Sequence, residues 1–91
     1  MSMIHVEHKH SLTMDDALTR ARAVTEDIAQ RVSATVTWSG TTATFKGTGF
    51  SGTAKVAENL IAVDVDLAML LRPMKAKIEE RIERSLEKRF A

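Results

Sequence analysis

Hydrophobic and polar residues alternate in five short segments, which predicts five β-strands. In the first, residues 3–9, Ile4 and Val6 lie on one face and His5 on the other. Four more alternating segments follow residue 34, separated by short turns rich in Gly, Ser, Thr and Asn. Such closely spaced turns favour hairpins, so these four segments predict an antiparallel meander. The last has the clearest buried face, formed by Ile61, Val63, Val65 and Leu67.

Two other segments have apolar residues at intervals of three and four, which predicts amphipathic helices. Thr13 and Asp16 resemble a capping box at the start of the first helix, which runs for about five turns. Its predicted buried stripe is Met14, Leu18, Ala21, Val24, Ile28 and Val32.

The second helix is predicted from about Ala68 to Phe90. Proline fits a first helical turn and disrupts a helix interior. The regular helix therefore begins at Pro73, or a turn at Ala68–Leu71 precedes a kink. Its predicted stripe is Leu71, Met74 (or Lys75), Ile78, Ile82, Leu86 and Phe90.

These elements give the order β-α-β-β-β-β-α and predict a single α+β domain. Strands with one polar face need one covering layer, and two amphipathic helices provide it. We therefore expect both helices on one face of a single antiparallel sheet. The pattern leaves open whether the first strand pairs beside the fifth strand or beside the second.

Composition narrows the range of functions. The chain has 91 residues, of which 44% are hydrophobic and 27% charged, as in an ordinary globular protein. A net charge of +1 argues against strong generic nucleic-acid binding, although residues 72–91 are more basic, with seven Lys or Arg against four Glu. The sequence has no cysteine, and we expect neither a signal peptide nor a transmembrane segment. These features predict a cytoplasmic protein.

The histidines near the N-terminus are the candidate metal ligands. His8 and His10 share a face of the first strand, and two such imidazoles can bind one metal ion. A closed site needs further ligands, which the sequence does not place nearby. The pattern therefore favours an exposed strand end leading into a helix cap, and we predict no metal or other cofactor.

No constellation of residues predicts catalysis. Asp15 and Asp16 suit the N-terminus of a helix, while Asp64 and Asp66 suit the solvent face of a strand. The glycine-rich residues 47–52 lack the Lys-Ser/Thr ending of a phosphate-binding loop and lead into a strand. We therefore expect a protein that is not an enzyme.

A cluster of large apolar residues surrounds the start of the second helix. Met69, Leu70, Leu71 and Met74 cannot all reach the core from one helical face. A small exposed apolar patch beside a basic helix suits an interaction surface. The alternative is that these residues close the end of a small core.

These motifs together resemble the small bacterial polyhydroxyalkanoic acid system family. The likeness runs through Ile-x-Val-x-His-x-His-Ser-Leu at residues 4–12 and a hairpin containing Trp38. It continues through Val-Asp-Val-Asp-Leu at 63–67 and Leu-Leu-Arg-Pro-Met-Lys at 70–75. The resemblance implies an association with polyhydroxyalkanoate granules, and no catalytic residues. By analogy, the element order also resembles a reduced helix-grip (START-like) arrangement.

The sequence and the resemblance lead to three hypotheses about the function. The first is a non-enzymatic accessory protein linked to granule synthesis, storage or regulation, acting through the granule surface or granule proteins. The second is a small module that binds a hydrophobic ligand between the sheet and the C-terminal helix. The third is a structural homodimer that uses the Thr-rich face of the sheet or an exposed edge.

Overall fold

A five-stranded antiparallel sheet carries two helices in the computed structural model, which describes residues 3–90. The elements follow the predicted order β-α-β-β-β-β-α and confirm the α+β fold. They are β1 (Ile4–Lys9), α1 (Met14–Val32), β2 (Thr35–Ser39), β3 (Thr42–Gly47), β4 (Phe50–Val56), β5 (Leu60–Leu67), a 3-10 helix (Met69–Met74) and α2 (Lys75–Phe90).

The first strand pairs with the fifth, which decides between the two alternatives left open by the sequence. The strand order is β1-β5-β4-β3-β2, so β1 and β2 form opposite edges. Ile4 pairs with Val65 and Val6 with Val63, so apolar side chains from both strands meet on one face. This pairing extends the buried surface of β5 and thereby fixes the register.

The helices cover the face of the sheet that carries the apolar side chains. All four predicted inward residues of β5 are buried. Helix α1 contacts β2, β3 and β4, while α2 lies mainly against β1. The buried core consists of Ile4, Val6, Ala17, Ala21, Val24, Ala43, Ala54, Val56, Ile61, Val63, Val65, Leu67, Ile82, Leu86 and Phe90.

Helix α1 begins at the predicted cap. The hydroxyl of Thr13 accepts a hydrogen bond from the backbone N–H of Asp16 at 3.2 Å, which satisfies an otherwise unpaired helix donor. The predicted stripe is correct except at its end, where Val32 is 45% exposed. Ser33 adopts a left-handed conformation with φ of 56° and ends the helix there, so the chain leaves the sheet surface before Val32 is covered.

The start of α2 differs from both predicted alternatives. Pro73 lies inside the 3-10 helix, and the α-helix begins two residues later at Lys75. Met74 or Lys75 was expected in the buried stripe, but both are exposed, Met74 at 48%, so that prediction is wrong. The tighter winding of a 3-10 helix rotates each side chain away from its α-helical position, which takes Met74 out of line with Ile78 and Ile82.

The two helices run antiparallel and meet near one end. A guanidinium N–H of Arg20 in α1 donates to the backbone carbonyl of Arg89 in α2 at 2.8 Å. This contact satisfies one of the free carbonyls that a helix leaves at its C-terminus. It joins the start of α1 to the end of α2, whereas the 3-10 helix adjoins the other end of α2.

Candidate functional site

An exposed apolar surface lies where β5 leads into α2. Met69 is 76% exposed, Leu70 90% and Met74 48%. We call the 3-10 helix that carries them the Met69–Met74 turn. These are large side chains of the kind that folding usually buries, and a contiguous group of them commonly marks a binding surface.

The Met69–Met74 turn is held in place by the neighbouring hairpin. The backbone N–H of Ala68 donates to the carbonyl of Gly49 at 2.7 Å. Leu71 is half-buried, and its side chain occupies the space that a side chain at position 49 would need. Gly49 has φ of 86°, a conformation that favours glycine, so the turn between β3 and β4 is shaped to receive Leu71. Leu71 therefore anchors the turn, and its apolar neighbours point outward.

Basic side chains border this apolar surface. Arg72, Lys75 and Lys77 are all exposed. Val32, the exposed last residue of α1, lies at the same end of the sheet as this surface. The reason is that β2, which follows α1, begins at the end of the sheet where β5 finishes. The four predicted interaction residues thus divide into one anchor, Leu71, and three exposed residues. The site can offer apolar contact together with positive charge.

A small apolar crevice lies between the helices and the sheet. It has a volume of about 40 Å³, and its lining includes Ile28, Phe45, Phe50 and Ile82. Pockets for drug-sized ligands have volumes of about 300–1,000 Å³. In this structure the crevice is therefore smaller than a pocket for the hydrophobic ligand that the second function requires.

The candidate metal ligands His8 and His10 both face the last residue of α2. Their rings lie 6.3 Å and 5.7 Å from the ring of Phe90, centroid to centroid. The Nε2 of His10 donates to the carbonyl of Ala57 at 2.9 Å, and its Nδ1 accepts from the N–H of Leu12 at 3.1 Å. Both nitrogens of His10 are thus engaged within the fold, where they join the helix entry to the turn before β5.

A polar crevice of about 250 Å³ runs along the free edge of β1. Its lining includes His8 together with Glu83 and Glu87 from α2. Within residues 3–90, however, no three His, Asp or Glu side chains come together as a set of metal ligands. The arrangement gives His8 a contact with the core and acidic neighbours, and it does not assemble a site with His10.

A histidine on the opposite face forms an ion-pair cluster that the sequence did not reveal. The Nδ1 of His5 lies 2.5 Å from a carboxylate oxygen of Asp64, and its Nε2 lies 3.0 Å from one of Glu7. Both ring nitrogens can donate only when the imidazole is protonated. The hydrogen bond to Asp64, followed by that to Glu7, raises the pKa of His5 above the ordinary value of about 6.5.

This cluster predicts a pH-dependent contribution to stability. The folded pKa of His5 lies above the unfolded pKa, so the contribution is complete below about pH 6.5 and disappears as the pH rises through the folded pKa. We expect the wild type to lose its stability advantage over Asp64→Asn across that window. Chemical denaturation at several pH values measures this difference, and an NMR titration of His5 locates the midpoint.

Asp66→Asn is the matched control for this experiment, because Asp66 lies on the same strand and face but pairs across the sheet with Ser51. It should leave the midpoint of His5 unchanged, whereas Asp64→Asn should lower it. A wild-type midpoint at or below that of an unstructured histidine would contradict the arrangement.

The comparisons with known proteins give a family but no close relative. Neither helix within residues 3–90 has the length and apolar character required to cross a bilayer. No curated protein and no solved structure matches the chain, so the helix-grip likeness stays a prediction. A family model described as a polyhydroxyalkanoic acid system protein matches residues 4–90, and this description states no molecular activity. Because the match covers nearly the whole chain, the protein belongs to the polyhydroxyalkanoic acid system family.

Proposed function

We propose that the protein is a non-enzymatic, cytoplasmic accessory protein that attaches to polyhydroxyalkanoate granules through the Met69–Met74 turn. The family supports the link to the polyester system. The observation that carries the proposal is the exposure of Leu70, at 90%, on a segment held in place by Leu71 and Gly49. In this role, attachment would contribute to granule synthesis, storage or regulation.

The chemistry of the surface suits an aliphatic polyester. Such a polymer presents alkyl groups for apolar contact and uncharged ester carbonyls that accept hydrogen bonds. Met69, Leu70 and Met74 would bury apolar area against the alkyl groups, at about 1.5–3 kcal/mol for each fully buried side chain. Arg72 and Lys75 supply only donors, which match the ester carbonyls.

The order of the turn favours binding as well. Leu71 and Pro73 restrict the segment before it meets a partner, so little conformational entropy remains to be lost on attachment. The hydrogen-bonded pair of His5 and Asp64 lies on the other face of the sheet, which the helices leave open. The proposal therefore assigns attachment and no chemistry to the turn.

Co-sedimentation with purified polyester particles tests the proposal. We expect the wild type to pellet with the particles and Leu70→Glu to bind about tenfold more weakly or worse, because the variant places a charge in the apolar contact. Leu70 is almost fully exposed, so the variant should keep the thermal stability of the wild type.

Thr44→Glu is the matched control, since it adds the same charge at an exposed position on the open face of the sheet. It should bind as the wild type does. The proposal fails if the wild type stays in the supernatant, or if Leu70→Glu and Thr44→Glu bind equally.

A further inference from the structure

The two edges of the sheet are protected differently. The edge strand β1 carries His5, Glu7 and Lys9, and α2 packs against it. The other edge strand, β2, has the sequence Thr-Val-Thr-Trp-Ser and contains no charged residue, proline or glycine. Proteins usually block exposed edges with charge, proline or a covering element, because a free edge pairs readily with another strand.

The backbone of β2 offers a regular set of hydrogen-bonding groups at this edge. Ser39 and Thr42 close the hairpin to β3 around a two-residue turn. Such a closing pair is hydrogen bonded, and hydrogen-bonded pairs alternate along an antiparallel ladder. The backbone groups of Val36 and Trp38 therefore point to the free edge. Within residues 3–90, β2 has a neighbouring strand on one side only.

The side chains at this edge are incompletely covered. Val36 and Trp38 lie on the face that carries the helices, and both are only half-buried. The guanidinium of Arg22 stands 5.6 Å from the centre of the Trp38 ring and covers it from above. The outer sides of both apolar residues remain available for another strand to cover.

From this geometry, we infer that β2 pairs antiparallel with β2 of a second copy of the chain, about a two-fold axis at Thr37. The axis places Val36 opposite Trp38 of the second copy, so that edge-facing backbone groups meet and form four hydrogen bonds. A large side chain then packs beside a small one on each side of the axis. Pairing centred on Thr37 also matches all five residues of the strand and generates a continuous ten-stranded sheet.

The open face of the sheet is compatible with this pairing. Thr37 meets its own copy at the axis, and Thr35 meets Ser39. None of these side chains is charged, so no like charges are brought together. The same pairing at β1 would place its charged residues, including His5 and Glu7, within the interface.

Disulfide trapping tests the axis directly, since the natural chain has no cysteine. A non-hydrogen-bonded pair across an antiparallel ladder has Cα atoms about 4.5 Å apart, within the range that a disulfide spans. We expect Thr37→Cys to form a covalent dimer on mild oxidation. Thr44→Cys is the matched control, because it lies exposed on the same face one strand inward and should form no covalent dimer.

Sedimentation equilibrium provides the second test. We expect a concentration-dependent dimer for the wild type and dimerisation about tenfold weaker or worse for Thr37→Lys, because two like charges face each other at the axis. Thr44→Lys should dimerise normally. A mixture of Thr37→Lys and Thr37→Asp should recover the dimer. Thr37 is exposed, and circular dichroism verifies that each variant is folded.

Two results would overturn the inference. One is a wild type that stays monomeric at high concentration, which would mean that the edge does not pair with its own copy. The other is a dimer that Thr37→Lys and Thr44→Lys weaken equally, which would place the interface elsewhere. Fluorescence gives an independent reading, because Trp38 is the only tryptophan and its emission should shift to shorter wavelength on dimerisation.

Discussion

Replacing Gly52 by alanine is expected to destabilise the protein by about 3 kcal/mol, a large share of the roughly 5–14 kcal/mol available to a chain of this length. Gly52 pairs with Phe45 on one side and Val65 on the other. A methyl group there would overlap the backbone carbonyl oxygen of Asp64 and come within 2.6 Å of the Phe45 ring. The ring can rotate, but the carbonyl belongs to the central strand pair and cannot move without disturbing the ladder.

Urea denaturation of Gly52→Ala measures this loss. Ser51→Ala is the control, because Ser51 is the next residue along the strand and its exposed side chain points to the open face. Its effect should stay within about 0.5 kcal/mol. Equal stability of the two variants would show that β4 and β5 have room for a side chain at Gly52, contrary to the structure.

The sequence predicts an element well where a local pattern decides its structure. In strand β5 every second residue is apolar and directed inward, and these four residues are all buried. Thr13 and Asp16 are three residues apart, so their hydrogen bond at the start of α1 depends only on local geometry. The sequence did not predict which of Met69, Leu70, Leu71 and Met74 would be half-buried and which exposed. That depends on the space that Gly49 leaves for Leu71.

Long-range pairing limits what the sequence can predict. His5 and Asp64 were each assigned to an outward face, yet their ion pair depends on β1 lying beside β5. The alternation in β1 is compatible with pairing to β5 or to β2, since it indicates which face a side chain occupies and not which strand lies beside it. The contact of Phe90 with His8 and His10 was hidden for the same reason, because it joins the two ends of the chain.

The two proposed surfaces lie on different sides of the molecule. The Met69–Met74 turn follows β5 and leads into α2 over β1, whereas the pairing edge is β2, at the other side of the sheet. Leu70→Glu should therefore leave dimerisation unchanged, and Thr37→Lys should leave the turn itself intact. Each variant thus serves as an additional control for the other experiment, and failure of one proposal leaves the other standing.

Truncating Leu86 to alanine is expected to cost about 3 kcal/mol and to lower Tm by about 15 °C. Leu86 is 1% exposed and lines both the apolar crevice under the helices and the polar crevice beside β1. It thus holds α2 against the sheet, together with Ile82 and Phe90. Loss of its side chain would leave a cavity at the contact that fixes α2 over β1.

Thermal unfolding measures the effect of Leu86→Ala, and two further variants serve as controls. Glu87→Ala alters the next residue, which is exposed, and should change stability by no more than about 0.5 kcal/mol. Leu86→Met keeps most of the volume and should cost less than about 1.5 kcal/mol. If Leu86→Ala proved as stable as Glu87→Ala, α2 would not depend on this contact. Because α2 begins where the Met69–Met74 turn ends, the turn would then have to be held in place by other contacts.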